Sequence, residues 1–485
     1  NRLHSSLIKI IYMSIIQKRS EEAVILNSEE RKSVESELWR LALPAMMQGL
    51  LFTVVFVVDT LMVARLGPAS IAAVGAAGPV IWSISSLLFA FSRATTALVA
   101  KGTGAKNLEE ARMASGQSLA IALILGLVTA LAFIFGRFYI MAPFGLEAEV
   151  LPLAAKYLAI VGGALLFSLP GHVFAVTFQA AGDTKTPLIV SALGNLVNIV
   201  GDYVLIFGMW GFPALGVVGA AIATAACRVV EATLMGIMLW RKEVCPHRRH
   251  ILAIHRPTLR SLLYLGTPAT AEAASFHFGY LLFSCLVSWL GTVALAAHRI
   301  CLSIEALAFM PASGLAVAAA THTGQRLGAQ REDLAEYGVK HVRLRVCQFM
   351  AIVAFVLLAF PHLFVSFYTS KSDVAIQSAL CLRIGAFELI PLGIAMALTG
   401  ALQGAGDTKS PFVITTLGIW LVRVPLTALF GLHWGFGLPG VWVATAIDWL
   451  IRAWLIDRAI KGGRWKMIFA HKEPSVAASP VGDVT

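Results

Sequence analysis

Charge is what this chain has least of. Asp, Glu, Lys and Arg make up 13% of its 485 residues, about half the roughly 25% usual for soluble globular proteins. Hydrophobic residues reach 58% and mean hydropathy is +0.78, which points to lipid as the solvent. Cysteine is also scarce: the six, Cys227, Cys245, Cys285, Cys301, Cys347 and Cys381, show no CxxC spacing and mostly fall inside apolar segments. Neither a disulfide framework nor a zinc site is expected to organise the fold. Alternating strand patterns are missing, and with them a membrane β-barrel. The net charge of +11 is not gathered into a basic stripe interleaved with aromatics, so no nucleic-acid partner is expected.

Long apolar runs take the place of those features. A crossing needs about 20 helical residues, and twelve segments qualify. They lie near 40–65, 71–99, 111–135, 151–178, 188–208 and 214–240 in the first half. The second half gives 261–289, 293–322, 339–360, 375–402, 412–432 and 438–457. Such long, uniformly apolar runs must be helices, which satisfy their own backbone in lipid. The fold class is all-α, a membrane protein with twelve transmembrane helices.

One phrase is written twice. Gln179-Ala180-Ala181-Gly182-Asp183-Thr184-Lys185-Thr186-Pro187 returns 224 residues later as Gln403-Gly404-Ala405-Gly406-Asp407-Thr408-Lys409-Ser410-Pro411. The same shift lays Pro44 on Pro268, Leu66-Gly67 on Leu290-Gly291, and Arg228 on Arg452. The chain is therefore two homologous six-helix lobes related by a pseudo-twofold axis, an arrangement of secondary transporters. The expected division is an N-terminal segment 1–38, a first lobe 39–240, a linker 241–259, a second lobe 260–460 and a tail 461–485. Basic residues collect in alternate loops and in the tail, among them Lys101, Lys106, Lys185, Arg241, Lys242, Arg248, Arg249, Arg326, Arg331 and Lys409. The positive-inside rule then puts both termini in the cytoplasm, with the chain in the cell (inner or plasma) membrane. The apolar stretch Leu7–Ile16 is too short to span and lacks a cleavage site, so no signal peptide is expected. Residues 28–40 read as a charged surface helix leading into the first span.

Ionisable groups inside spans mark function by default, because each is costly there. Asp59 sits in the first span; Asn195, Asn198 and Asp202, spaced three and four apart, share one stripe of the fifth. At 1.5 Å per residue, Asp59, Asp202 and Thr224 of the sixth span all lie about 9–12 Å from the outer ends of their helices. No basic residue is expected at that level. Such an oxygen-rich cluster suits a shared proton or a dehydrated Na+, although Asn and Asp also pair across membrane helices as simple glue. The shift replaces the cluster with Phe283, Ile419, Val422 and Leu426 in the second lobe, which instead carries Glu272, Glu305, Glu388 and Asp448, with Arg423 also deep. Asp448 with Arg452 and Arg228 with Glu231 read as local structural pairs, and His277 as a satisfied buried histidine.

The doubled Gly-Asp-Thr-Lys-x-Pro loop, the opening Leu43-Pro44-Ala45 with Val58-Asp59-Thr60-Leu61-Met62-Val63-Ala64-Arg65-Leu66-Gly67, and the Asn-Leu-Val-Asn-Ile-Val-Gly-Asp stripe resemble the multidrug and toxic compound extrusion (MATE) transporters. The resemblance runs from about residue 38 to 460. It implies a two-lobe antiporter, not an enzyme, that exports amphipathic, often cationic compounds against H+ or Na+, and it favours the DinF-like or archaeal branch over the NorM-like one. Its ion site maps onto Asp59, Asn198, Asp202 and Thr224, with Asp59, Asn198 and Asp202 as ligands where the ion is Na+. Substrate contact falls to Asp59, Asn195, Asp202, Glu272 and Glu388. The last two lie in the helices where NorM-like members carry acids, but about one turn away.

The expected cycle is competition for carboxylates. The aspartates hold a lipophilic cation until external H+ or Na+ displaces it, and Pro44, Pro170 and Pro391 are candidate bending points. Expected partners are the small-molecule substrate and membrane lipid, with the chain working as a monomer and no cofactor beyond the coupling ion. Two other classes stay open: a flippase of lipid-linked precursors with the same two-lobe plan, and a membrane-embedded enzyme. The first calls for a more cationic cavity and the second for Asp-rich loops; here Asp183 and Asp407 stand singly in tight turns.

Overall fold

Asn27 starts the first helix: its side chain accepts from the Glu30 amide at 2.7 Å while the Glu30 carboxylate accepts from the Asn27 amide at 3.3 Å, a reciprocal cap. The structure, a computed structural model, describes residues 26–469. The apolar stretch Leu7–Ile16 and most of the tail lie outside these residues. Twelve long helices follow one another: α1 Ser28–Ala64, α2 Pro68–Gly104, α3 Leu108–Phe144, α4 Val150–Ala180, α5 Lys185–Phe207 and α6 Val217–Trp240. Then come α7 Arg256–Ser288, α8 Thr292–Gly328, α9 Glu332–Ala359, α10 Ser372–Gly404, α11 Lys409–His433 and α12 Gly437–Lys461. Ten are apolar enough to cross a membrane on composition alone. The other two, α7 and α12, have the length but are diluted by polar residues, including Glu272 and His277 in one and Asp448, Arg452 and Asp457 in the other.

α1 differs from expectation. Residues 28–40 form no separate surface helix but run unbroken into the first span. Pro44 and Pro391 sit inside continuous helices, whereas α4 is interrupted at Ala164, six residues before Pro170, and α2 at Phe91. α11 widens into π-helical turns over Gly418–Arg423 and Thr427–His433. Pro425 lies between them, where a regular helix would lack one hydrogen bond and crowd the preceding turn.

The backbone carries the duplication. In the doubled loop Asp183 Oδ1 accepts from the Thr186 amide at 3.0 Å and Oδ2 from its hydroxyl at 2.8 Å. Asp407 does the same with Ser410, at 3.0 and 2.6 Å. Gly182 and Gly406 hold φ of +93° and +82°, a conformation glycine adopts without steric cost. Lys106 and Gln330, also 224 apart, both take positive φ, at 56° and 58°.

The lobes meet along α1 with α8 and α2 with α7, pairs that the shift interconverts. Near the loop face, α2 crosses α8 where Gly104 passes the Gln325 carbonyl and Gly328 passes that of Lys101; a methyl at either glycine would overlap its neighbour. Polar contacts between lobes gather on this same face: Glu37 with Arg326 and His322, Glu30 with Arg331, and Glu35 with Tyr337. Gln325 Nε2 and Thr321 Oγ1 of α8 also donate to the carbonyls of Ala180 and Gln179 in the first lobe.

Candidate functional site

α5 presents Asn198 and Asp202 on its buried stripe, and α1 brings Asp59 against them. Asn198 Nδ2 donates to Asp202 Oδ2 at 3.2 Å. The Asp59 and Asp202 carboxyls face each other at hydrogen-bonding range, and one oxygen of each, Oδ1, is buried with no donor among the described residues. Two carboxylates in contact away from water repel unless a proton or cation sits with them, so the pair has the chemistry to hold a small positive charge. Arg228 of α6 stands within electrostatic range of Asp59, which corrects the expectation of no base at this level. Its guanidinium is held by Glu231 at 2.6 Å, so neither aspartate is locked onto it.

The remaining predicted members are less engaged. Thr224 donates its hydroxyl to the Ala220 carbonyl at 3.0 Å, and Asn195 is half-buried without a hydrogen bond to the pair among the described residues. Tyr157 of α4, unnoticed in the sequence, lies close enough to feel both aspartates and Arg228. Its signal was weak because one tyrosine in an apolar helix reads as core.

The second lobe holds a carboxyl pair of its own. Glu305 of α8 and Glu388 of α10 lie at hydrogen-bonding range, with Arg423 of α11 and the Thr445 hydroxyl of α12 facing them. In the second lobe, Glu388 Oε2, Arg423 Nη2, Trp442 Nε1, Thr427 Oγ1 and both ring nitrogens of His298 are buried without a partner among the described residues. Arg423 is anchored through Nε to Asp448 Oδ2 at 2.7 Å, and Arg452 grips the same carboxylate at 2.7 and 2.6 Å. Asp448 is thus structural, as its spacing suggested, while the two glutamates had given no sign of contact because they stand 83 positions apart (305 to 388).

Glu272 belongs to neither pair. It accepts from Arg93 at 2.7 Å, Gln403 at 3.1 Å and Thr415 at 3.2 Å. Shifted back by 224, Glu272, Gln403 and Thr415 become Gln48, Gln179 and Ser191. Those three are joined in turn, Gln48 donating to Ser191 at 2.9 Å and Gln179 donating to Gln48 at 3.3 Å. The two lobes therefore keep one polar joint, neutral in the first and ionic in the second, where Arg93 crosses over to balance the acid. His277 bonds Ser86 Oγ at 2.9 Å, in keeping with a satisfied histidine.

Comparison with known proteins follows the same geometry. The MatE family model matches twice, over residues 44–204 and 268–429, starting points one repeat apart. A relative in Thermotoga maritima named "Probable multidrug resistance protein NorM" is 31% identical over 444 residues, covering 91% of this chain and 95% of its own. A Bacillus subtilis relative named "Uncharacterized transporter YisQ" is 23% identical, covering 92% and 98%. Among solved structures, a Vibrio cholerae MATE transporter superposes with a TM-score of 0.84 at 21% identity, covering 91% of this chain and 100% of its own. A MOP superfamily transporter from Pyrococcus furiosus gives 0.83 at 22%, covering 90% and 96%. These folds share the twelve-helix, two-lobe plan, while the DinF-like and NorM-like branches are not separated by the matches. With its duplicated model match and full-length relatives, this multi-pass membrane chain belongs to the MatE family.

Proposed function

We propose that the protein is a secondary antiporter that exports amphipathic, mainly cationic compounds in exchange for H+ or Na+. The observation that carries this reading is the facing Asp59–Asp202 pair, each acid with a buried oxygen lacking a donor. The relatives' names, multidrug resistance proteins and transporters, support export rather than catalysis. The loop face, where the lobes are tied, is taken as cytoplasmic on the distribution of basic residues, in the cell membrane, with one chain as the working unit.

In the cycle, the ionised aspartates hold the cationic end of a substrate while apolar wall residues bury its rings. Once the lobes open to the far side, a proton or Na+ takes the pair and the substrate loses its counter-charge. The all-oxygen donor set of Asp59, Asp202 and Asn198 fits either ion. Glu305 and Glu388 form a second candidate seat for the coupling charge, with Arg423 beside it. Asn195, Glu272 and Thr224 play supporting parts at most, since their hydrogen bonds lie elsewhere or are lacking.

Ethidium transport in proteoliposomes, with the pH and Na+ gradients imposed one at a time, tests the proposal. Transport driven by one gradient and abolished when that gradient is collapsed is expected; uptake indifferent to both would refute antiport.

A further inference from the structure

The linker between the lobes, beyond its role as a tether, forms one wall of a cleft. Residues 241–255 leave α6 at Trp240 and turn back through a short helix, Arg248–Leu252, lying against α3. They are pinned there by Arg112 Nε donating to the Glu243 carbonyl at 2.6 Å, and by Gln117 Nε2 donating to the carbonyls of His250 and Ala253, each at 2.8 Å. Between linker and helices lies a cleft of about 440 Å³, within the range of small-ligand sites. Leu119, Phe174, Gly236, Leu239 and Ile251 give it an apolar floor, and Arg112, Lys242 and Arg248 stand at its rim.

Part of the rim charge is unpaired, although Glu109 stands within electrostatic range of Arg112. Among the nearby acids, Glu109 holds Arg249 and His250, Asp183 holds Lys242, and Glu243 is exposed. Arg248 and the terminal nitrogens of Arg112 have no ion pair among the described residues. Large apolar side chains flank the cleft on the open side: Trp240 is 82% exposed, Leu252 79% and Ile254 76%. A tryptophan at the end of a span and two bare aliphatics on the connecting turn suit the boundary of a bilayer. They would be costly facing water.

We propose that this cleft is a binding site for one anionic phospholipid, the phosphate between Arg112 and Arg248 and an acyl chain on the Phe174–Gly236 floor. Apolar slots with basic rims on the charged face of a helical membrane protein have the chemistry for such headgroups. Gly236 keeps the floor open: a Cβ there would lie 3.3 Å from the Phe174 ring, so a larger side chain fills the slot. None of the carboxyl pairs lines this cleft, and the proposal does not depend on which ion drives transport.

Native mass spectrometry of the full chain in detergent, titrated with dioleoyl phosphatidylglycerol or dioleoyl phosphatidylcholine, reads the site directly. The glycerol lipid is expected to give one retained adduct and the choline lipid none at equal concentration. Arg248→Gln, an exposed change that threatens no packing, should weaken retention about fivefold, the worth of one basic side chain near anionic lipid. Gly236→Leu should remove the adduct by filling the floor. Inorganic phosphate at millimolar level should not compete, since it lacks the acyl chain. Equal retention of both lipids, unchanged retention in Arg248→Gln, or displacement by free phosphate would each overturn the assignment.

Discussion

A buried carboxylate oxygen without a donor is an unmet electrostatic demand, and Asp59 and Asp202 present two of them side by side. Asp59→Asn removes one charge while keeping the size and shape of the side chain. Efflux of ethidium from loaded cells is expected to fall to the level of cells lacking the protein, with membrane abundance unchanged on immunoblot. Arg93 and Glu272 offer a contrasting case, in which the charge is balanced and the effect structural. Arg93→Gln should strand a buried acid and lower stability by about 1–3 kcal/mol, less than for a fully buried pair because Arg93 is part-exposed. Adding Glu272→Gln should restore most of the loss, since the trio then matches Gln48, Gln179 and Ser191 in the first lobe. Thermal unfolding of detergent-purified protein reads both variants, and a double variant no better than the single would show that Arg93 acts otherwise. The aspartates were legible in the sequence because a lone acid in an apolar run is conspicuous. The Glu305–Glu388 contact and the arginine opposite Glu272 were not, because pairing across helices leaves no local spacing to read.

Turns and helix ends repeat more faithfully than side chains between the lobes. The doubled Asp-Thr-Lys loop survives in both halves because its geometry is local: an aspartate two hydrogen bonds from the residue three ahead, and a glycine at positive φ. Burial works to raise the Asp183 carboxyl, but the hydrogen bonds from Thr186 and the Lys242 ammonium outweigh it and hold the group below the ordinary aspartate range. A lowered folded value stabilises the loop in full above the unfolded pKa of about 3.9, and the contribution is lost as pH falls through the folded value. Asp183→Ala should therefore cost on the order of 1 kcal/mol at pH 7, with the gap to the parent protein narrowing progressively in melts taken at successively lower pH below the unfolded value. A gap independent of pH would mean that the carboxylate's charge is immaterial. Helix positions were similarly legible, since every expected span falls on a helix, but several helices outrun it: α3 continues to Phe144 against an expected 135, α9 begins at Glu332 against 339, and α1 begins twelve residues before the expected 40. Its first three turns are charged, so hydropathy is blind to them, and only packing against α8 and α9 shows that they continue the span. The π-helical turns of α11 were hidden for a like reason. Pro425 marks a disturbance, but the widening occurs where Gly418 passes the Asp448–Arg452 pair, a contact between distant segments.

At the scale of the molecule, the duplication explains why contacts between lobes come in related pairs, α1 on α8 and α2 on α7, and why the asymmetry is in charge. On the face bearing the doubled loop, the acids that reach across come from α1: Glu30, Glu35 and Glu37 engage Arg331, Tyr337, Arg326 and His322 of the second lobe. His322 is wholly buried; its Nε2 meets the Leu334 carbonyl at 3.2 Å and its Nδ1 the Glu37 carboxylate at 3.3 Å. In the proposed cycle, opening of this face would require these ties to break together. Neutralising Glu30 and Glu37 should then favour opening of this face by about fivefold, the equivalent of about 1 kcal/mol. Ala100, fully buried where α2 meets Gly324 of α8, is a reporter site. In a background free of the six native cysteines, Ala100→Cys should react slowly with a maleimide supplied from the loop face. The added changes Glu30→Gln and Glu37→Gln should speed the reaction about fivefold, and labelling at the parent rate would show that the acids do not hold the lobes shut.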